Sequence, residues 1–477
     1  PLIFTKLPQG YTPRQVIFTQ HGRYFHIGYG LIKYPDDFST GGGAVDLEFS
    51  AKKIAVTNYS AKDHMVGAKD NLVKLGVFTN VTSVIDTLTL PDPISADPLI
   101  VSGPTEVPTA IIGLSSGAIY RLSLAPFNII EAVLSPKNAP ITHLFASKGT
   151  ILYIQKTSGS FYNVGSFKGN SIMVSGTLKD AFLVDEAGGQ LLIVLEAGNK
   201  IKVFKDVNGT PAVEKEFTLR VQGTVEEISI SDTKKDGNTY INYVSENELY
   251  SVNLSNSIAD NFPVEIPASE SFAGRVIAAD FLGTGHPELI GFSNNGSIYA
   301  YDGKTGKLVD GFPLAIGDTL AYTPTFTKMN DGILLHASGK SGLIGAWNLN
   351  IAGGTVYFSG STGNDANTGS ATISSGSKIY GSFFPENAVY NYPNPATGTE
   401  TFIRFYVDED SDVTVKIFDL AGDFVADLKG YGQGGMDGEI RWDIRNIQSG
   451  VYLANVEATS VVSGKTGHKV IKIAIIK

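Results

Sequence analysis

Cysteine is absent from this chain. Its absence excludes disulfide scaffolds, thiolate zinc sites, iron–sulfur ligation and cysteine nucleophiles, and it fits an exported bacterial protein. Charge is scarce, with Asp, Glu, Lys and Arg making up 18% of the residues against about 25% in ordinary globular proteins. The 37 basic and 47 acidic residues leave a net charge of −10. That balance argues against nucleic acid or an anionic membrane as a main partner. No apolar run reaches the ~18 residues needed for a membrane-spanning helix. Almost no stretch keeps the i, i+3, i+4, i+7 apolar pattern of an amphipathic helix over a dozen residues. The chain opens at Pro1 with no basic-then-apolar leader, so two origins stand open: a signal peptide has been removed, or the chain is part of a longer polypeptide.

Glycine (53 residues), tyrosine (21) and phenylalanine (26) are plentiful among the 477 residues. With short alternating or apolar runs broken by Gly, Asn, Ser and Asp, they indicate a turn-rich all-β protein. Hairpins recur. Ile111–Leu114 turns at Ser116-Gly117 into Ile119–Leu122, and similar hairpins turn at Gly159, Asn199, Asn247, Gly296 and Gly342. These turns are 40 to 49 residues apart, the period of a β-propeller with several strands per blade. Weaker hairpins near Gly30 and Lys69 extend the series to eight. The reading is a seven- or eight-bladed propeller over 1–385. Repetition has a physical cause, because a lone four-stranded blade cannot bury both its faces and stacked neighbours can.

Phe262-Pro263 and Phe312-Pro313 lie 50 residues apart and are expected at blade-to-blade crossings, where Pro ends a strand. Residues 351–377 are rich in Gly, Ser, Thr and Asn. Within them, 360–369 is expected to be a mobile loop or linker, while Thr355–Phe358 and Lys378–Tyr380 are strand-like.

After Asn387 the texture changes to longer alternating strands, six or seven in about 90 residues, with Trp442 at an inward position. This pattern indicates a small Ig-like β-sandwich over 387–477. Tyr392-Pro393-Asn394-Pro395, the turn Asp419-Leu420-Ala421-Gly422, Trp442, and Gly450-Val451-Tyr452 follow in order. This segment resembles the C-terminal sorting domain of type IX secretion cargo and the related Ig-like domain of flagellar hook-capping proteins. The resemblance implies handling by the export machinery of the outer membrane. It also implies an extracellular or outer-surface location in a Gram-negative bacterium, with Tyr392, Pro393, Asn394, Pro395, Asp419, Gly422, Trp442, Gly450 and Tyr452 as the sorting motif.

Ala279–Ile290 resembles the FG-GAP class of propeller repeat, which implies a calcium cage of alternating Asp and Gly. Here Leu282 and Thr284 stand at customary carboxylate positions, so Asp280 and Glu288 remain as ligands, too few for calcium without backbone and water. A tight metal-free turn is expected, and no cofactor. The seven histidines show no compact ligand spacing, and no Gly-x-Ser-x-Gly elbow occurs. Asp36-Asp37 and the group Asp408, Glu409, Asp410, Asp412 are read as solvated turn acids rather than as a glycosidase pair. Tyr24, Phe25, Tyr29 and Tyr34 admit two readings, a glycan- or protein-binding face or filling between blades. Two functions follow. One is a secreted or surface non-catalytic interaction protein with an extracellular protein or glycan partner. The other is the accessory C-terminal part of a larger secreted hydrolase such as a peptidase, or a propeller enzyme acting on extracellular polymer.

Overall fold

The computed structural model describes residues 53–477 except 61, 80–82, 103–105, 136–137, 158–159, 168, 187, 330–331, 350–354, 365, 374–382, 386–388, 408, 433–435 and 462. Of residues 1–52 it describes the backbone of five strands, Leu2–Lys6, Gln15–Phe18, Arg23–Ile27, Gly30–Tyr34 and Val45–Asp46. The side chains of Tyr24, Phe25, Tyr34 and His26, and all of Tyr29, His21, Asp36, Asp37, Gly159 and Lys378–Tyr380, lie outside this description. The chain divides into two compact units, Pro1–Ser374 and Ser375–Lys477.

Eight antiparallel sheets make up the first unit. Seven follow in chain order over 15–46, 53–89, 99–134, 141–175, 178–218, 229–265 and 272–315. The eighth takes three strands from 325–348 and its outermost strand, Leu2–Lys6, from the start of the chain, with Leu2 opposite Trp347. The first strands of neighbouring sheets lie against one another from blade 2 round to blade 8, and that of blade 1 lies against that of blade 8. The unit is an eight-bladed propeller whose ring is closed by pairing the two ends of the unit. The hairpins legible in the sequence are the turns between second and third strands of successive blades. Gly296 shows why such a turn takes glycine. Its φ is +88°, and a Cβ there would stand 2.1 Å from the Asp318 carbonyl oxygen.

Middle strands such as Leu191–Leu195 are apolar throughout because both faces are covered by adjacent blades. The core is therefore a set of inter-blade layers, with Phe145, Tyr162 and Phe204 in one and Phe281, Phe326 and Leu335 in another. The outer strand Ala212–Thr218 is exposed along nearly all its length and carries Glu214, Lys215 and Glu216.

Two expectations need correction. Phe262-Pro263 and Phe312-Pro313 precede the short outer strands Val264–Glu265 and Leu314–Ala315. They thus shape the approach to a blade's last strand and do not mark the crossing between blades. The stretch 360–369 is no linker but part of a bonded segment, 355–373, in which Thr355–Phe358 is a strand as expected. Thr355–Phe358 pairs with the inner strand of blade 7, and Ser370–Thr372 pairs parallel with that of blade 5. Between them, Ser359 O accepts from the Phe326 N–H of blade 8 at 2.7 Å, Ala366 O from the Ile100 N–H of blade 3 at 2.8 Å, and Thr368 O from the Ala146 N–H of blade 4 at 2.8 Å. The Asn367 side-chain amide donates to Ile54 O at 3.0 Å and Pro98 O at 3.1 Å. The segment plugs the axis and hydrogen-bonds to six blades. Inner strands expose unpaired backbone groups toward the axis, which demand partners. Only a small-residue chain fits between them: a Cβ on Gly369 would stand 2.8 Å from the Phe145 ring.

The second unit is a sandwich of two sheets. One comprises Tyr390–Tyr392, Glu400–Val407 and Met436–Asp443; the other comprises Phe424–Gly432, Ser411–Asp419, Gly450–Ser460 and Thr466–Ile475. Alternation puts Val413, Val415, Ile417, Tyr452, Ala454, Val456, Ile471 and Ile473 inside, facing Ile403, Phe405, Ile440 and Trp442.

Candidate functional site

One end of the propeller axis, where the inner strands begin, opens into a cavity of about 490 Å³ floored by the plug. An adjoining cavity of about 410 Å³ shares Glu227, Tyr322, Ser361 and Thr362 with it. The charged centre of this mouth is Arg275. A cation in the strand Phe272–Asp280 is otherwise costly to bury. Here its guanidinium donates to Asp180 Oδ2 at 2.5 Å, to the Ile228 carbonyl, and to Glu227 Oε1 at 3.3 Å. It also lies over the rings of Phe182, at 4.8 Å, and Phe358, at 5.9 Å. Asp180 additionally accepts from the N–H groups of Ala181 at 3.0 Å and Ile228 at 2.9 Å. Blades 5, 6 and 7 are thereby tied together at the mouth. Lys179 is committed as well, donating to Glu226 Oε1 at 2.7 Å and Val225 O at 3.1 Å. Burial raises the Glu227 carboxyl above its ordinary value against the opposing pull of Arg275.

The opposite ends of the inner strands of blades 6 and 7 carry a repeated carboxylate turn. Asp280 accepts from the N–H groups of Thr284 at 2.9 Å and Gly285 at 3.0 Å. Asp232, 48 residues earlier, accepts in the same way from Asp236 and Gly237, each at 3.0 Å. Glu288 Oε2 accepts from Phe281 N–H at 2.8 Å and Leu282 N–H at 3.1 Å. These carboxylates close turns through backbone donors. Among the described residues no cluster of three or more His, Asp or Glu is placed to hold a metal ion. Burial pushes Glu288 up to about 8 and Asp232 up to about 6.

In the second unit the motif residues serve the sandwich itself. Asn394 stitches its edge, its amide donating to Lys472 O at 3.0 Å and its oxygen accepting from Ala474 N–H at 2.9 Å. Pro393 O accepts from the Thr401 hydroxyl at 3.1 Å. Asp419 caps its turn by accepting from the N–H groups of Ala421 and Asp423, both at 2.9 Å, and Gly422 sits at φ +88°. Trp442 meets Tyr452 edge to face at 5.5 Å, and the Tyr452 hydroxyl donates back to Gln448 O at 2.9 Å. This backward hydroxyl bond is the arrangement of a tyrosine corner in Ig-like sandwiches. Gly450 lies beside the Tyr452 ring. The side chain of Tyr392 and all of Asp408 lie outside the described residues. Glu409, in the link between the two sheets, ties that link to the hairpin of Gly450–Ser460 and Thr466–Ile475 by accepting from Ser460 Oγ at 2.7 Å and Lys465 Nζ at 2.5 Å.

Residues 391–472 match the family model described as a secretion system C-terminal sorting domain. The tail is a type IX sorting domain. The chain is accordingly a secreted or cell-surface protein of a Gram-negative bacterium. In the sorting domain, apolar side chains outside the motif's internal bonds stay exposed, among them Leu420, Phe424 and Val470. No curated protein matches the chain. Among solved structures, Sqt1 of Saccharomyces cerevisiae aligns with 72% of this chain and 97% of its own at 11% identity and a TM-score of 0.54, a likeness of fold alone. PorZ, a surface component of the type-IX secretion system of Porphyromonas gingivalis, aligns with 97% of this chain and 70% of its own at 12% identity and a TM-score of 0.37.

The sequence reading placed Asp280 and Glu288 in one turn, and the structure keeps them together there. It did not single out Arg275, Asp180 or Glu227. A signal for them lies in the sequence, since Arg275 directly precedes the apolar run Val276–Ala279 and Asp180 the apolar run Ala181–Val184. Buried charges of that kind demand a partner from elsewhere in the chain.

Proposed function

We propose that the chain is a non-catalytic binding protein displayed outside the cell, with the axial mouth as its binding end and the sorting domain as the part handled by the export machinery of the outer membrane. The observation that carries this reading is the commitment of the mouth's charged groups. Arg275 and Asp180 are spent on each other, Lys179 on Glu226, and both cations on backbone carbonyls as well, which suits a rigid receptor better than a proton-transfer site. The motif residues Tyr392, Pro393, Asn394, Pro395, Asp419, Gly422, Trp442, Gly450 and Tyr452 are proposed to act by holding the sorting domain's shape, so their loss disables export through misfolding.

Deleting 375–477 is expected to leave the propeller inside the cell envelope, as seen by protease accessibility of intact cells; normal display of the truncated chain refutes the sorting role. Ser361→Trp, which places an indole in the neck shared by the two cavities, is expected to abolish capture of the surface partner by the displayed protein. Undiminished capture refutes the mouth as the binding end, and turnover of an extracellular polymer by the purified chain would favour the enzymatic alternative.

A further inference from the structure

The neck between the two axial cavities is lined by four shared residues, Glu227, Tyr322, Ser361 and Thr362. Their polar groups are unequally spent. The Thr362 hydroxyl donates to Asn367 Oδ1 at 2.7 Å and contacts Asn364 O at 3.2 Å. Glu227 uses Oε1 for Arg275, while Oε2 has no partner among the described residues. The hydroxyls of Tyr322 and Ser361 likewise have none among the described residues, and Tyr322 is 43% exposed. A carboxylate acceptor, two hydroxyls and an aromatic face therefore line the place where the two cavities meet, Glu227 and Tyr322 on the loops that enter blades 6 and 8 and Ser361 on a plug pinned to six blades.

The charge arrangement decides what such a neck accepts. Arg275 and Lys179 are held by Asp180, Glu227 and Glu226, and Lys340, which lines the second cavity, has a partner of its own, so none of the three is left to receive an anion. A free ammonium would have to share Glu227 with Arg275, which already lies within ion-pair distance. A neutral polyol meets neither difficulty. Its hydroxyls donate to Glu227 Oε2 and exchange hydrogen bonds with Ser361 and Tyr322, and its C–H face covers the Tyr322 ring. The cavity volumes lie in the few-hundred-Å³ range of small-ligand sites, enough for one or two sugar rings.

We infer that the neck formed by Glu227, Tyr322 and Ser361 is a subsite for a ring of a neutral oligosaccharide. The inference rests on the reading of the mouth as a binding end and adds the ligand's chemical class.

The test is titration calorimetry on the purified full chain with maltotriose, cellotriose and chitotriose as neutral probes, trigalacturonate as an acidic one and trilysine as a cationic one. At least one neutral trisaccharide should bind. Tyr322→Ala and Ser361→Ala, both at exposed positions, should each weaken it at least tenfold with an unchanged melting temperature. Binding of trigalacturonate or trilysine in preference to every neutral probe overturns the assignment. So does binding of no probe, or sugar affinity unchanged in both variants. Partner capture that Ser361→Trp abolishes, together with no sugar binding, overturns the sugar assignment and leaves the binding end in place; capture and sugar binding both indifferent to the neck overturn both.

Discussion

Glu288 is fully buried, and its Oε1 has no hydrogen-bond partner while Oε2 accepts two backbone N–H groups. Its folded-state pKa near 8 lies above the ordinary 4.5, so the folded chain holds this proton more tightly than the unfolded chain does. The stability that the protonated form supplies is complete below about pH 4.5 and is lost as pH rises through about 8. Asp232, raised from 3.8 to about 6, adds a loss of the same sign over a lower window. Glu288→Gln keeps an oxygen for the two N–H donors and cannot ionise. Its melting temperature is expected to fall less between pH 5 and pH 8 than that of the wild type, measured by calorimetric scans. An identical pH dependence in both proteins would contradict the assignment. The turn from Asp280 to Glu288 shows how far a motif reaches. The resemblance to a propeller repeat put both residues in one turn and expected it to be metal-free, but the backbone donors to Asp280 and to Glu288 Oε2 became visible only in the fold.

At the scale of elements, the plug is the largest departure from what composition suggests. A run such as Gly360-Ser361-Thr362-Gly363-Asn364 has the texture of a linker, because small polar residues gain little by burial. What orders it is a set of unpaired backbone groups on inner strands belonging to other parts of the chain. Asn367 concentrates this dependence, reaching two carbonyls around 270 and 310 residues away in sequence. Asn367→Ala leaves both buried carbonyls without that donor and is expected to cost about 1–3 kcal/mol, read as a lower urea midpoint of the propeller transition with an unchanged slope. An unchanged midpoint would show that the plug is held by its strand pairing alone. The sandwich strands were legible for the opposite reason. Val413, Val415 and Ile417 alternate with outward residues, and a strand with one buried face writes its orientation into its own sequence.

At the scale of the whole molecule, the propeller is a ring whose last blade borrows Leu2–Lys6 from the start of the chain. Removing residues 1–6 exposes the edge of Leu343–Asn348 and opens the ring between its first and last blades. The truncated chain is expected to melt at a lower temperature and to gain protease cleavage first within 325–348, followed by peptide mapping. Retained protease resistance there would indicate that the inter-blade core suffices for closure. The period of 40 to 49 residues made the repeat count readable as seven or eight. Choosing eight required seeing which strand pairs with Leu343–Asn348, a contact separated by nearly the whole unit.

The sequence alone determined the all-β class, the repeat period, the alternating sandwich and the presence of a sorting domain, because each is written in local periodicity or in runs of adjacent residues. The tertiary structure alone decided the closure of the ring, the filling of its axis by 355–373 and the assembly of Arg275 with Asp180 and Glu227 at the mouth. Those features join backbone groups and charges far apart along the chain. Their pairing follows from the need to satisfy buried polar groups, which no local pattern records.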